Sequence, residues 1–388
     1  MTTWLAVGGL LALGAAVAVY AMSAVSLRKL VLAARSRRAS DVTPSVTIVK
    51  PLLGTDEGLE ANLESFFRLD YPADAYEVVF SMASTDDPAA AVARRVADRH
   101  PSIRTTFVFD AREPGGNAKV NRLEAALRHA RFRLILFSDG NVRVRPDFLR
   151  RAVAWFDDPN VGLVSHLFQA TGAQSLGSRL EALYLNGCLQ PGTAAIAHLL
   201  KMPCVVGKSI LISRRALDAI GGISVLRDFL AEDYLLGRRV RRAGYEVRLS
   251  GDVLDTSEVR KSPKAVWARH RRWAIMRRHL GGPLYTAELL TSALPWFGLA
   301  MLSSSPAIRI AAAALLGARW GLEAWAAAQA GGRLRLRDVP LLPLRDVAAA
   351  AVFWAGMTGR HVRWRGHPLR IGKQTRILGS AAWPAAAG

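Results

Sequence analysis

Residues 134–144 read LILFSDGNVRV: an apolar run that stops abruptly at Ser138-Asp139-Gly140. Four large apolar residues bounded by turn formers predict a buried strand, and the strand ends on a carboxylate. Outward from it the same grammar repeats. Arg133–Phe137 is preceded by a helical stretch at Ala118–Ala130 and a strand at Thr105–Phe109. Further upstream come a helix at Pro88–Arg99, a strand at Tyr76–Met82, helical spacing at Glu57–Phe67 and a β-branched strand at Val46–Val49. Strands alternating with helices predict an α/β domain with a mostly parallel, helix-covered sheet. In such sheets ligands bind beyond the carboxyl ends of the strands. Asp86 and Asp87 follow "VVFSMAS", and Asp139 follows "LILFS". One Asp there is commonplace, because Asp starts loops and caps helices. Acids after two strands make a candidate site.

Downstream, "FLAEDYLLGRRVRRAG" brings Glu232 and Asp233 into a helix start, where acids also suit the helix dipole. "RHRRW" spans Arg269–Trp273, and such a basic stretch equally suits lipid headgroups. His166 follows the apolar run "VGLVSH", and Cys204 sits in "MPCVVGKS", where a small buried hydrophobe needs no function. Gly115 and Gly116 read as loop flexibility; the chain carries neither a P-loop nor a GxGxxG after a strand.

The 388 residues are 51% hydrophobic and carry a formal net charge of +21. That much apolar surface excludes disorder, and two cysteines exclude a disulfide scaffold or a Cys-rich zinc module. The charge is confined. Residues 26–40 hold five Lys/Arg and no acid, 260–282 hold eight and no acid, and 331–376 hold ten with two acids. These segments account for the whole surplus, so the body is neutral and a duplex-binding surface is not expected. The basic segments flank apolar ones, the positive-inside pattern. Trp4–Leu27 has no charge over about 24 residues, enough for a hydrocarbon core of about 30 Å. It predicts a transmembrane anchor over 1–27 with residue 28 onward cytosolic. A cleaved signal peptide is disfavoured by the length of the run and the missing basic n-region. Leu289–Ser305 and Ile308–Ala330, divided by Pro306, predict a transmembrane hairpin over 283–330, in which Arg319 and Glu323 are spaced to pair. Val347–Gly359 is too short to span comfortably, so the basic tail 331–388 is expected to carry a re-entrant or interfacial segment at 347–359. Its flanks, Arg333, Arg335 and Arg337 before and Arg360, Arg363 and Arg365 after, are both basic. A cytosolic catalytic domain over 28–259 and an interfacial basic segment over 260–282 complete the division. A multi-pass protein of a bacterial inner membrane, touching anionic lipid headgroups and no nucleic acid, is the expectation.

"KPLLGTDEGLEANLESFFRLDYP", "STDDPA", "GNAKVN", "SDGNVRV", "CVVGKSILISR", "AEDYLLGRRV" and "RHRRW" occur in that order over roughly 230 residues. Together they resemble the ceramide glucosyltransferases, membrane-bound processive-type enzymes of GT-A fold, and "VRWRGHPLRI" resembles that family's tail. Next closest are bacterial glycosyltransferases acting on hopanoid lipids. The resemblance implies an inverting enzyme that moves a hexose, glucose from UDP-glucose foremost, to the primary hydroxyl of a membrane lipid, foremost ceramide. N-acetylglucosaminyl or other hexosyl transfer to a hopanoid or diacylglycerol is the alternative, and a processive polysaccharide synthase a further one. It implies Lys50 and Pro51 near the uracil, Asp86 with Asp87 on the uridine, and Asn117, Lys119 and Asn121 lining the donor. Asp139 would hold Mg²⁺ or Mn²⁺ on the diphosphate. Position 141 is Asn, so the second acid of a DxD form is missing. Asp233 would be the general base; Arg272, with Arg269 beside it, would face the leaving diphosphate, and Trp273 would pack beneath. His166, Cys204 and Glu232 are weaker candidates on the acceptor side.

Overall fold

The computed structural model describes residues 2–364 and 367–380. Arg365 of the basic flank and the end of the 331–388 tail lie outside the described residues.

The chain divides into two compact units, and Leu30–Gly172 with Leu200–Val259 form one of them. Its strands are β1 (Val46–Pro51), β2 (Tyr76–Met82), β3 (Thr105–Phe109), β4 (Leu134–Ser138), β5 (Val142–Arg143), β6 (Val161–Thr171), β7 (Ser209–Ser213) and β8 (Glu246–Ser257). They make one mixed sheet in the order β3-β2-β1-β4-β7-β6-β8-β5. The first four in that order are parallel, with Val46 opposite Tyr76 on one side and Leu134 on the other. β2 and β4 are buried along their whole length, as central strands are when both sheet faces are covered. Val49, Val79, Ile135 and Phe137 pack against Val120, Leu123 and Ala126 of the helix Ala118–Leu127. That helix ends three residues before its expected limit. The helix expected over 57–67 is shorter still, Leu59–Glu64, and begins after Gly58, held at φ 84.

Two consequences position the site. The parallel register brings Pro51, Met82 and Ser138, the last residues of β1, β2 and β4, to one sheet edge. β7 runs against β4 with Ser209 opposite Ser138, so the residue before β7, Lys208, lies across from Asp139.

The other unit contains Met1–Lys29, Ala173–Leu199 and Arg260–Gly388. The helix Thr2–Ser36 starts in this unit. Its Leu13 packs with Ala293, Ala300, Ala312 and Leu316. A Cβ on Gly9 would stand 2.8 Å from the Ala300 nitrogen, so the approach of the two helices requires glycine. The apolar run 289–305 is divided between helices Ala287–Thr291 and Ala293–Met301, with Ser292 extended between them. Pro295 has no N–H to bond back across that break. The second arm is one helix, Pro306–Gln329. Its Glu323 pairs with Arg319, the anticipated i,i+4 partner, and also with Arg345 at 2.5 Å. Arg345 belongs to the helix Leu342–Thr358, which starts upstream of the 13-residue run. Among the described residues two helical segments are long and apolar enough to cross a membrane, Trp4–Ser36 and Leu336–Thr358. A small antiparallel sheet of His361–Trp364, His367–Ile371 and Ile377–Ser380 follows.

Candidate active site

Five ionisable side chains meet at the carboxyl edge of the parallel strands: Lys119, Asp139, Lys208, Glu232 and Asp233. Asp139 follows β4 directly. Its carboxylate accepts from the Lys119 amine at 3.0 Å and from the Lys208 amine at 3.3 Å. Burial alone would push its carboxyl up, but the two ammonium groups outweigh burial and hold it down at about 2. Lys119 stands on the first turn of its helix and also reaches Glu232 at 3.3 Å and the Gly207 carbonyl at 3.0 Å. Burial disfavours its charge, yet the carboxylates of Asp139, Glu232 and Asp233 raise the amine above the ordinary lysine range.

Asp233 enters the helix Glu232–Arg242. Its carboxylate accepts from the backbone N–H of Gly207 at 2.9 Å and from that of Tyr234 at 2.8 Å. Burial, reinforced by the charge of Glu232, raises its carboxyl to about 6, against the opposing pull of Lys119 and the two N–H groups. Gly207 is required for this contact, because a Cβ there would stand 2.7 Å from the Asp233 oxygen. Cys204 feels the same acid: burial first, and then the charge of Asp233, push its thiol up to about 12. It is therefore protonated at neutral pH.

Several anticipated donor residues serve the frame of this site. Asn117 caps the helix Ala118–Leu127 by accepting from Lys119 and Val120 N–H, while its amide donates to Phe229 O at 2.7 Å and to Glu232 at 3.2 Å. It thus orients both Lys119 and Glu232. Asn121 donates to Glu113 at 2.5 Å and to Gly115 O at 2.8 Å, fixing the glycine loop. Lys50 is fully buried on β1; its amine lies 3.3 Å from the centre of the Phe66 ring and donates to Ser138 Oγ and to Asp139 O, each at 3.1 Å. Burial pulls this amine well below the usual lysine range. It holds the β4 turn from beneath. Pro51 ends β1 opposite Ser81. Asp87 caps the helix Pro88–Asp98 and accepts from Gly54 N–H at 2.9 Å, tying together the loops after β1 and β2. Asp86 is exposed on the turn beside it. His166 is fully buried on β6, against the Phe148 ring and Ser209, and burial lowers its imidazole to about 4. That describes a neutral core histidine.

Arg269, Arg272 and Trp273 lie on the helix Pro263–Gly281 of the other unit. Arg269 donates to Glu181 at 2.8 Å and lies over the Trp273 ring at 5.9 Å. Arg272 donates to Arg363 O at 3.3 Å. Burial would raise the Glu181 carboxyl, but His270, Arg269 and Lys261 lower it.

Sequence reasoning missed three residues: Lys208, Gly207 and Glu181. Gly207 and Lys208 stand in the quoted "CVVGKSILISR", but only the β4–β7 register brings Lys208 to Asp139, and only the packing of the helix Glu232–Arg242 brings Asp233 to Gly207. Glu181 belongs to no motif.

A divalent ion would need oxygens aimed at one point. Asp139 Oδ2 and Asn141 Oδ1 meet that condition, since both lie within 3.3 Å of a single ammonium, that of Lys208. Among the described residues no three His, Cys, Asp or Glu side chains group to hold a metal. One carboxylate still suffices for ions that take their remaining ligands from substrate phosphates and water. The residues fit one cation.

A mixed α/β sheet with acids and lysines gathered at the carboxyl edge of its parallel strands has the architecture of the GT-A fold class. The mannosyltransferase PcManGT from Pyrobaculum calidifontis, solved in complex with GDP-Man and Mn²⁺, shares the fold: TM-score 0.52, 22% identity, 91% of this chain and 99% of that one. The sequence pattern of Glycosyl transferase family 21 matches residues 10–377, and the chain belongs to that family. Ceramide glucosyltransferase 1 of Caenorhabditis elegans is 29% identical over 235 residues, covering 60% of this chain and 50% of the relative. Ceramide glucosyltransferase 3 of the same organism is 29% identical over 253 residues, covering 65% and 54%. The chain thus spans about half the length of these curated relatives.

Proposed function

We propose that the protein transfers a hexose from a UDP-sugar, foremost UDP-glucose, to the primary hydroxyl of a membrane lipid, foremost ceramide. The observation that carries this is the convergence of Asp139, Lys119, Glu232 and Asp233 at the carboxyl edge of the sheet. The names of the relatives support glucose and ceramide as donor and acceptor. N-acetylglucosaminyl or other hexosyl transfer, to a hopanoid or to diacylglycerol, is the alternative chemistry for the same site.

In this reading Asp233 is the general base. It takes the proton from the lipid hydroxyl as that oxygen attacks C1 of the sugar and the C1–O bond to the diphosphate breaks. A single displacement inverts the anomeric centre, so an α-linked donor gives a β-glycoside. A carboxyl near 6 is deprotonated at neutral pH yet basic enough to accept a proton. Its fixed N–H partners aim it, and the positive charge of Lys119 pulls its proton affinity down. Positive charge for the diphosphate would come from the Lys208 ammonium that spans Asp139 and Asn141, or from Mg²⁺ or Mn²⁺ in its place on the same two oxygens. Arg269, Arg272 and Trp273 are assigned to the leaving-group side on their motif alone. The apolar helices and basic segments support a multi-pass membrane protein with this domain on the cytosolic side.

The test is purified full-length protein in detergent with labelled UDP-glucose and ceramide, read by lipid mass spectrometry. The expected product is a β-glucosyl lipid. Asp233→Asn should stop its formation while UDP-glucose still binds. Normal turnover by that variant would remove Asp233 as the base, and a product on another lipid would move the acceptor assignment.

A further inference from the structure

The Asp139–Asn141 pair does not wait for a cation. The Lys208 amine bridges the two, 2.8 Å from Asn141 Oδ1 and 3.3 Å from Asp139 Oδ2. Lys119 meets the other carboxylate oxygen of Asp139 at 3.0 Å. Both oxygens of that carboxylate, and the side-chain oxygen two residues later, therefore already face ammonium groups.

Lys208 is held there by the backbone. The Asp139 N–H donates to the Lys208 carbonyl at 3.2 Å, and Ser138 pairs with Ser209 in the β4–β7 ladder. Its Cα cannot leave Asp139 without breaking the sheet. A divalent ion on the same oxygens would sit about 2.1 Å from each, inside the space the ammonium spans, and would repel it. The two cations are alternatives for one place. A lysine there does part of a metal's work: it is a fixed positive charge with N–H donors for phosphate oxygens. The cluster sets three acids, Asp139, Glu232 and Asp233, against the amines of Lys119 and Lys208.

We infer that Lys208 is a resident cation at the Asp139–Asn141 position, so that a nucleoside diphosphate binds without a divalent metal and free metal binds only weakly. The inference rests on the reading that this cluster receives the diphosphate of a nucleotide sugar.

Full-length protein in detergent is titrated with UDP by calorimetry, in chelator and then in Mn²⁺. Separately, it is titrated with Mn²⁺ alone, with the free ion followed by electron paramagnetic resonance. Wild-type UDP affinity should change by less than about threefold between chelator and Mn²⁺, under 1 kcal/mol. Lys208→Met should bind Mn²⁺ at least about tenfold more tightly, and its UDP binding should be lost in chelator and restored by Mn²⁺. Lys208→Arg should behave as wild type. Loss of wild-type UDP binding in chelator overturns the inference, and so does a Lys208→Met protein with unchanged Mn²⁺ affinity. If Lys208→Met does not fold, the wild-type chelator comparison still decides. If no form binds UDP under either condition, the nucleotide-sugar reading falls, and the Mn²⁺ titration alone judges the role of Lys208.

Discussion

Two of the buried charge clusters among the described residues are built on opposite rules. In the unit holding the apolar helices, Glu323 is met by Arg319 and Arg345, and Arg345 also holds Asp346, which accepts from the Trp320 indole. Two acids face two guanidinium groups, and each ion's charge is spent on its neighbours. In the α/β unit, three acids face Lys119 and Lys208. Asp139 takes most of the positive charge and is held at about 2, whereas Asp233 is left at about 6. The balanced cluster is a way to carry charge through an apolar helix pair. The unbalanced one drives apart the proton affinities of like groups, the pattern expected of an acid–base site. Burial of charge alone does not distinguish the two; the leftover carboxylate does.

The sharpest way to break this contrast is to remove one acid from each. Asp233→Asn should cut transfer by about 10³-fold, within the range of a lost general base, with little change in thermal midpoint. Glu323→Gln should do the reverse. It strands Arg319 and Arg345 against each other and should cost about 3 kcal/mol of stability, read as a lowered thermal midpoint in detergent, with UDP affinity unchanged. If Glu323→Gln lost UDP binding without loss of stability, the structural assignment of that cluster would fail.

A smaller displacement tests geometry rather than charge. Gly207→Ala puts a Cβ where Asp233 Oδ2 now lies and removes room for the 2.9 Å N–H contact. Transfer should fall about 10- to 100-fold, as expected for a misplacement of about 1 Å, with UDP binding retained. Glu181→Gln should weaken the grip on Arg269 and lower kcat by about tenfold, within the range for one lost charge-assisted contact. Glu181→Asp, which keeps the charge, should recover part of the loss if Glu181 positions Arg269.

Much of the α/β unit was legible beforehand, because its signals are local. β2 and β3 lie where apolar runs between turn formers predict them, and Asp139 closes β4. Convergence of sites was legible only in part. Asp233 and Glu232 announce themselves as acids at a helix start, but Lys208 reaches Asp139 through an antiparallel pairing between residues about 70 apart, and Gly207 meets Asp233 across 26 residues, contacts that no local period encodes. The resemblance alone puts Lys50 near the uracil, and no local pattern encodes that its amine lies over Phe66 and under the Asp139 turn. The helix breaks were equally hidden. The run 289–305 looks continuous in hydropathy, and a single proline backbone divides it.

The mildest test leaves the sequence intact. Burial and the neighbouring charge of Glu232 raise Asp233 to about 6, so its folded carboxyl holds a proton more readily than a free one would. A base must be unprotonated to act. Transfer at saturating substrate should therefore rise with pH through about 6 and level off above it. Between pH 7 and pH 6 the rate should about halve, between pH 6 and pH 5 it should fall about fivefold, and below that it should drop about tenfold per unit. The groups facing Asp233 fix the sign of any shift. Lys119 lowers its pKa and Glu232 raises it, so Glu232→Gln should move the rising limb to lower pH. A limb that stayed in place in that variant would detach the titration from this cluster and remove the contrast with the balanced one.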